Sequence, residues 1–270
     1  MPMRIAVNGA GGRMGRMLVA AVTADHRLTL SGALERSGSS LVGRDASEVA
    51  GLPPSGVTIT DDMDAALSHA DAVMDFTAPE ATVALAAVAA AKSLVHVVGT
   101  TGLGESQLAI LQGFANRSRI VQSGNMSLGV NLLALLVRQA SAALGASWDI
   151  EIVEMHHRMK VDAPSGTALL LGDAAAEGRG VTLADHSDRG RDGHTGARRE
   201  GDIGFASLRG GSVIGDHMVV FAGAGERIEL GHRAEDRGLF AQGAVAAALW
   251  AGTQPPGYYG MADVLGLPKG

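Results

Sequence analysis

The stretch that most restricts the fold lies at the start of the chain, "RIAVNGAGGRMGRMLVAAVTA" (residues 4–24). A short, continuously apolar run leads into a glycine cluster, and the cluster opens a helix-like segment. Continuous rather than alternating apolar strands belong to sheets covered on both faces. The same unit then recurs. "LTLSGALER" (28–36), "DAVMDFT" (71–77), "LVHVVGTTG" (94–102) and "RIVQSGN" (119–125) read as further strands. "PEATVALAAVAAA" (79–91) and "ESQLAILQGFAN" (105–116) read as helices, with Pro79 suited to a first helical turn. Repeated β-α-β predicts a Rossmann-like, doubly wound parallel sheet.

The pattern changes after Asn125. "SLGVNLLALLVRQASAALG" (127–145) reads as a long helix and "WDIEIVEMHH" (148–157) as a half-exposed strand. Residues 185–202, rich in Gly, Arg, Asp and His, read as a loop. "IGFASLRGG" (203–211) and the hairpin "HMVVFAGAGERIELGHR" (217–233), turning at Gly223 to Glu226, read as antiparallel. The helix "LFAQGAVAAALW" (239–250) is expected to return to the first domain. The expected division is a dinucleotide-binding domain of residues 1–126 and 237–270, and a smaller α+β domain of residues 127–236 with a mostly antiparallel open sheet.

Composition removes several function classes. A net charge of −6 and 3% aromatic residues argue against nucleic acid as a partner. With no cysteine, disulfides, thiolate nucleophiles and cysteine-bound zinc are excluded. The N-terminus carries no signal-peptide pattern. The apolar run 130–137 is far shorter than the ~20 residues that span a bilayer. A soluble, cytoplasmic protein with no membrane partner is expected.

The glycine loop fits G-x-x-G-x-x-G on Gly9, Gly12 and Gly15 rather than G-x-G-x-x-G. Glycines there serve a tight turn, close approach to a pyrophosphate, and helix–strand packing, while the helix N-terminus favours phosphate. At the end of the second strand, Glu35 can accept hydrogen bonds from an adenosine ribose and Arg36 can pair with a 2′-phosphate. Both NADH and NADPH are therefore open. Ligands of open α/β sheets lie beyond the carboxyl ends of the strands, so Gly99, Thr100, Thr101 and Asn125 are candidates to line the nicotinamide end.

"EMHHRMKVDAPSGTALLLG" (154–172) carries the remaining chemistry. On an extended segment His156 and His157 point to opposite faces, and no H-E-x-x-H accompanies them, so a metal is not expected. Ser165 lacks the G-x-S-x-G setting of a nucleophile and suits a helix start, which Ser165 or Thr167 would cap around Gly166. Such an end, with Lys160 nearby, suits a carboxylate or phosphate, and a histidine beside it can move protons at neutral pH.

These segments, with "GTTG", "SGNMSLGVN" and "GHTGAR", resemble in order the motifs of the bacterial 4-hydroxy-tetrahydrodipicolinate reductase (dihydrodipicolinate reductase) family over nearly the whole chain. The resemblance implies a homotetramer, built through the second domain's sheet. It further implies reduction of a cyclic dicarboxylate by NADH or NADPH on the diaminopimelate route to lysine. By motif position it makes His156 a proton donor or acceptor and Lys160 a second proton donor. It assigns His157, Gly166 and Thr167 to substrate, and Lys160 and Ser165 at the anion-holding helix end are expected to bind it too. To the cofactor it assigns Gly9, Ala10, Gly11, Gly12, Arg13, Met14, Glu35, Arg36, Gly99, Thr100, Thr101, Ser123, Gly124, Asn125 and Met126. Ala78 stands where some members carry a basic residue, and Met126 ends an "SGNM" that is more often Ala-rich and Phe-ended. A related amino-acid or semialdehyde dehydrogenase would share the first half without needing "HHRMKVDAPSGTA". A catalytically dead nucleotide sensor would have no use for His156 and Lys160.

Overall fold

Helices and short strands alternate through the first half of the chain, in a computed structural model that describes residues 1–267. In order they are β1 (Met3–Asn8), α1 (Arg13–Ala24), β2 (Leu28–Leu34), α2 (Ala46–Val49), β3 (Ile59–Thr60) and α3 (Met63–Leu67). Next come β4 (Ala72–Asp75), α4 (Pro79–Ala91), β5 (Val95–Val98), α5 (Glu105–Gly113) and β6 (Arg119–Gln122). The second half holds α6 (Leu128–Leu144), β7 (Asp149–His156), α7 (Gly166–Arg179), α8 (Leu183–His186), β8 (Ser187–Asp188), β9 (Ile203–Arg209), β10 (Gly215–Gly223) and β11 (Glu226–Ala234). The chain closes with α9 (Gly238–Ala251), β12 (Gly257–Tyr259) and α10 (Met261–Val264). Two compact units result: Met1–Leu128 with the chain from Gly238 onward, and Gly129–Arg237.

In the first unit seven strands form one sheet in the order β12-β6-β5-β4-β1-β2-β3. Every pairing in it is parallel. β4 and β5 are buried at all four positions, as suits mostly apolar strands covered on both faces, with Asp75 and His96 as the polar exceptions. One face packs Val7, Met74 and Val97 with Leu18 and Val22 of α1 and Ala244 and Ala248 of α9. Across the other face, α3 and α4 cover Ala6, Leu34 and Val73 through Leu67, Leu85 and Ala89. The order in which strands are added reverses at β1, which pairs β2 on one side and β4 on the other, both parallel. The crevice beyond such a switch point is where ligands of doubly wound sheets bind.

The second unit has a five-stranded sheet, ordered β11-β10-β7-β9-β8. β7 alternates half-buried and buried along its whole length. Its inner residues Ile150 and Ile152 meet Val219 and Phe221 of β10, Phe205 of β9, and Leu171 and Ala175 of α7. The opposite face carries Val153, Met155, Met218, Val220 and Leu208, and Leu208 is 50% exposed.

Two expectations change. β9 is parallel to β7, not antiparallel, so the sheet is mixed. A parallel neighbour needs a crossover, and the long connection through α7 supplies it. Residues 185–202 are not wholly loop, since α8 and β8 fall partly within them. Between β2 and β3 the chain also forms α2, whose N-cap Asp45 accepts from Ser47 and Glu48.

Candidate active site

In the first unit the glycine loop is tied to the end of β2, because Gly9 and Ala10 both donate to the Leu34 carbonyl. Gly9 has φ +69°, a left-handed turn that glycine adopts without strain. A Cβ on Gly15 would lie 2.0 Å from the Gly9 carbonyl oxygen, so the third glycine is what lets α1 pack against the strand end. Gly12 caps α1 without a side-chain acceptor, leaving the first-turn N–H groups of Arg13 and Met14 for another partner. The Gly11 amide donates to Glu35 Oε1 at 2.9 Å, which holds the acidic side chain at the loop's edge. Arg36 is exposed beside it.

The ends of β4, β5 and β6 meet the start of α1 in a cavity of about 250 Å³. It is lined by Met14, Phe76, Thr77, Gly99, Thr100, Thr101, Gly124, Asn125, Met126 and Phe240. Phe76 fills the space beside Gly99, where a Cβ would fall 2.2 Å from its ring. Ser123 Oγ donates to the Asn125 carbonyl at 2.7 Å, and Asn125 Oδ1 accepts from Ser127 N at 2.9 Å. These bonds shape the turn that presents Gly124. Thr100 turns its hydroxyl inward to Thr82, 2.8 Å away. Phe76 and Phe240 went unread as lining residues in the sequence. Phe76 had a signal, its place at a strand end; Phe240, on a helix from a distant segment, had none.

Loop, acidic strand end and cavity fit a dinucleotide by their own geometry. The glycines keep the backbone bare, the helix end offers donors to phosphate, and Glu35 keeps a carboxylate at the loop's edge.

In the second unit β7 sets the chemistry. Glu154 and His156 follow Ile152 on the inner face, so the apolar face becomes polar at the strand's carboxyl end. His156 Nδ1 lies 2.7 Å from Glu154 Oε2. Arg209 of β9 reaches the same carboxylate with both terminal nitrogens, at 2.8 and 2.9 Å. The Ser165 amide donates to its other oxygen at 3.2 Å. Burial alone would raise the Glu154 carboxyl, but its bonds to Arg209, His156 and Ser207 outweigh that and hold it at about 2. His156 is pushed down, first by burial and then by the Lys160 and Arg209 charges, with Glu154 pulling the other way. On β10, His217 stacks edge-on against His156 with centroids 5.1 Å apart, and burial and His156 lower it to about 4.

Ser165 is the N-cap of α7, accepting from Ala168 N at 3.1 Å. Its hydroxyl is fully buried and 2.9 Å from His217 Nε2, so it serves the helix end from inside rather than facing a ligand. Gly166 is exposed, with nothing within 4 Å of where a Cβ would be, and Thr167 follows it. Lys160 Nζ donates to both oxygens of Asp162 at 2.8 Å, and this contact lowers the Asp162 carboxyl. His157 points away from His156 and lies 3.3 Å from Arg237. Glu154, Arg209 and His217 were missed as site residues: Arg209 and His217 arrive only by strand pairing across long sequence gaps, while Glu154, two residues before His156 on the same strand face, had a local signal.

A nucleotide-binding sheet joined to a unit bearing a histidine, a lysine and an open helix end defines an oxidoreductase of the two-domain dehydrogenase and reductase class. Residues 3–126 match the dihydrodipicolinate reductase N-terminus and residues 129–265 its C-terminus. The chain belongs to the dihydrodipicolinate reductase family. It is 62% identical over 265 residues to 4-hydroxy-tetrahydrodipicolinate reductase of Rhodopseudomonas palustris (strain BisB18), covering 98% of each chain. To the same-named protein of Bradyrhizobium diazoefficiens it is 58% identical, again over 98% of each. Among solved structures, dipicolinate-bound dihydrodipicolinate reductase from Paenisporosarcina sp. TG-14 superposes with a TM-score of 0.78 at 25% identity, over 97% of this chain and 99% of that one. The fold is shared more distantly with an amine dehydrogenase from Mycobacterium smegmatis, at 16% identity and a TM-score of 0.61 over 100% of this chain and 97% of the other.

Proposed function

We propose that the enzyme reduces 4-hydroxy-tetrahydrodipicolinate to tetrahydrodipicolinate with NADPH or NADH, as a cytoplasmic homotetramer on the diaminopimelate route to lysine. The observation that carries this reading is the gathering of His156, Lys160 and the N-terminus of α7 at one end of the second unit's sheet, in a chain 62% identical to a reductase of that name. In the conversion one hydride and one proton enter and one water leaves.

Reduced nicotinamide supplies the hydride when bound. The residues Gly9 to Met14 and Glu35 hold the pyrophosphate and adenosine ribose, and Arg36 meets the 2′-phosphate of NADPH. Gly99, Thr101 and Ser123 to Met126 shape the nicotinamide end. A hydride arriving at an unsaturated ring carbon drives electron density toward the ring nitrogen, and a proton must quench it. His156, with Nδ1 turned to Glu154, gives that proton from Nε2. Lys160 exchanges Asp162 for the dicarboxylate and is the second donor: its proton goes to the hydroxyl that leaves as water, and the ring C–H proton lost in that elimination balances it, so one proton enters net. His157 and the amides of Gly166 and Thr167 take the carboxylates, where bare backbone at the helix start lets an anion approach. The half-exposed apolar face of Val153, Met155, Met218, Val220 and Leu208 supports assembly through the sheet.

The test is direct. Pyruvate and aspartate semialdehyde are condensed by the upstream synthase, this enzyme is added, and NAD(P)H absorbance is followed. Rapid decay is expected; no decay at micromolar enzyme overturns the reading. Sedimentation as a monomer would remove the tetramer.

A further inference from the structure

Glu154 is the one carboxylate of the second unit that is both 1% exposed and bonded to a histidine. The two Arg209 nitrogens and the Ser165 amide around it are fixed donors. Oε2 faces His156 Nδ1 and Arg209 Nη1, and Oε1 faces Arg209 Nη2 and Ser165 N. The guanidinium charge of Arg209 and these fixed N–H donors keep the carboxylate ionised, so it can only accept, and the proton between Glu154 and His156 sits on Nδ1. Nε2 is the ring's remaining nitrogen, at the edge facing Gly215, where a Cβ would crowd it at 3.0 Å.

Resting on the proton-donor reading of His156, we propose that Glu154 is a positioning residue that fixes His156 as the Nδ1–H tautomer and so commits Nε2 to proton transfer, with Arg209 anchoring the carboxylate. The step balances simply. The Nε2–H bond of the imidazolium breaks as the substrate–H bond forms, leaving a neutral imidazole still donating from Nδ1. Glu154 takes no proton; its charge offsets the imidazolium before transfer. The other charged or titratable groups around His156 are Arg209 on β9, His217 on β10, His232 opposite it on β11, and Lys160 with Asp162 in the segment before α7. His217 is lowered by burial and stays neutral near pH 7, so it does not compete for the carboxylate.

Glu154→Gln keeps the shape but turns one oxygen into a donor, which must face Arg209 in either orientation. Expected are unchanged NADPH binding, turnover reduced roughly 10- to 100-fold, and an imidazolium limb of the pH–rate profile displaced to lower pH, because the carboxylate that favours the charged ring is gone. A structural role alone would not move that limb. Independently of any variant's folding, ¹⁵N-histidine NMR of the wild-type enzyme above the His156 pKa should show Nδ1 protonated and Nε2 bare, the signal being assigned by its loss in His156→Ala. An Nε2–H tautomer in the wild type, or wild-type turnover and pH profile in Glu154→Gln, overturns the role of Glu154 alone. A fully active His156→Ala overturns the proton-donor reading itself, and the role of Glu154 with it.

Discussion

Each unit buries one histidine against one carboxylate, and the two pairs are built to different ends. Asp75 and His96 stand on neighbouring strands of the first sheet, 3.4 Å apart and with no exposure at either side chain. Asn8 and Thr77 also donate to Asp75, at 3.0 and 2.6 Å. Burial opposes its ionisation, yet the His96, Thr77 and Thr82 contacts hold it below the usual range. Glu154 and His156 share one strand, draw on a full guanidinium charge, and leave His156 8% exposed at the sheet's end. Access separates them. A sealed pair can only hold strands together, whereas a pair with one open ring edge can exchange a proton with something outside.

The sharpest way to break this contrast is to delete the open histidine. His156→Ala is expected to lower turnover by ~10²-fold or more, and Lys160→Ala likewise, with NADPH affinity unchanged by fluorescence titration. Full activity in either would reduce its group to structure. The sealed pair should respond in stability instead. Asp75→Ala strands the Asn8 and Thr77 donors in the core and is expected to cost about 3 kcal/mol. Urea unfolding in a Trp148→Phe background reads this out, since Trp250 then reports on the first unit alone. An unchanged midpoint would mean the pair holds nothing.

Acid provides a third test. His217 is lowered from 6.5 to about 4, so its neutral form contributes stability that is present above 6.5 and lost as pH falls toward 4. Glu154, lowered from 4.5 to about 2, contributes stability present above 4.5 and lost as pH falls toward 2. The second unit should therefore weaken from about pH 6.5 downward, followed by Trp148 fluorescence in a Trp250→Phe background. His217→Gln should flatten the upper part of that decline, and an unaltered curve would acquit the histidine. The smallest effect belongs to the exposed rim of the first unit. Arg36→Ala should weaken NADPH roughly 10-fold and leave NADH nearly unchanged, since one exposed charge-assisted contact is removed. Equal effects on both would remove the 2′-phosphate contact.

Much of the first unit was legible because its rules are local. Strand and helix periodicity, Pro79 at a helix start and the spacing of Gly9, Gly12 and Gly15 each follow from a few consecutive residues. The direction of β9 was misread because an alternating strand looks the same whichever way it pairs, and only the crossover through α7 decides. Ser165 illustrates a half-success. The helix cap was readable from Pro-Ser-Gly-Thr, while the burial of its hydroxyl against His217, 52 residues on, was not.

By itself the sequence determined the class of the first unit, the family, and the residue types available for proton transfer and anion binding, because these are carried by contiguous motifs. Tertiary structure alone decided what His156 faces. Glu154 lies two residues before it, but Arg209 and His217 reach the same carboxylate and ring only through the pairing of β7 with β9 and β10. The ring's acceptor is on its own strand, but the charge that holds that acceptor and the ring packed beside it come from two further strands brought side by side.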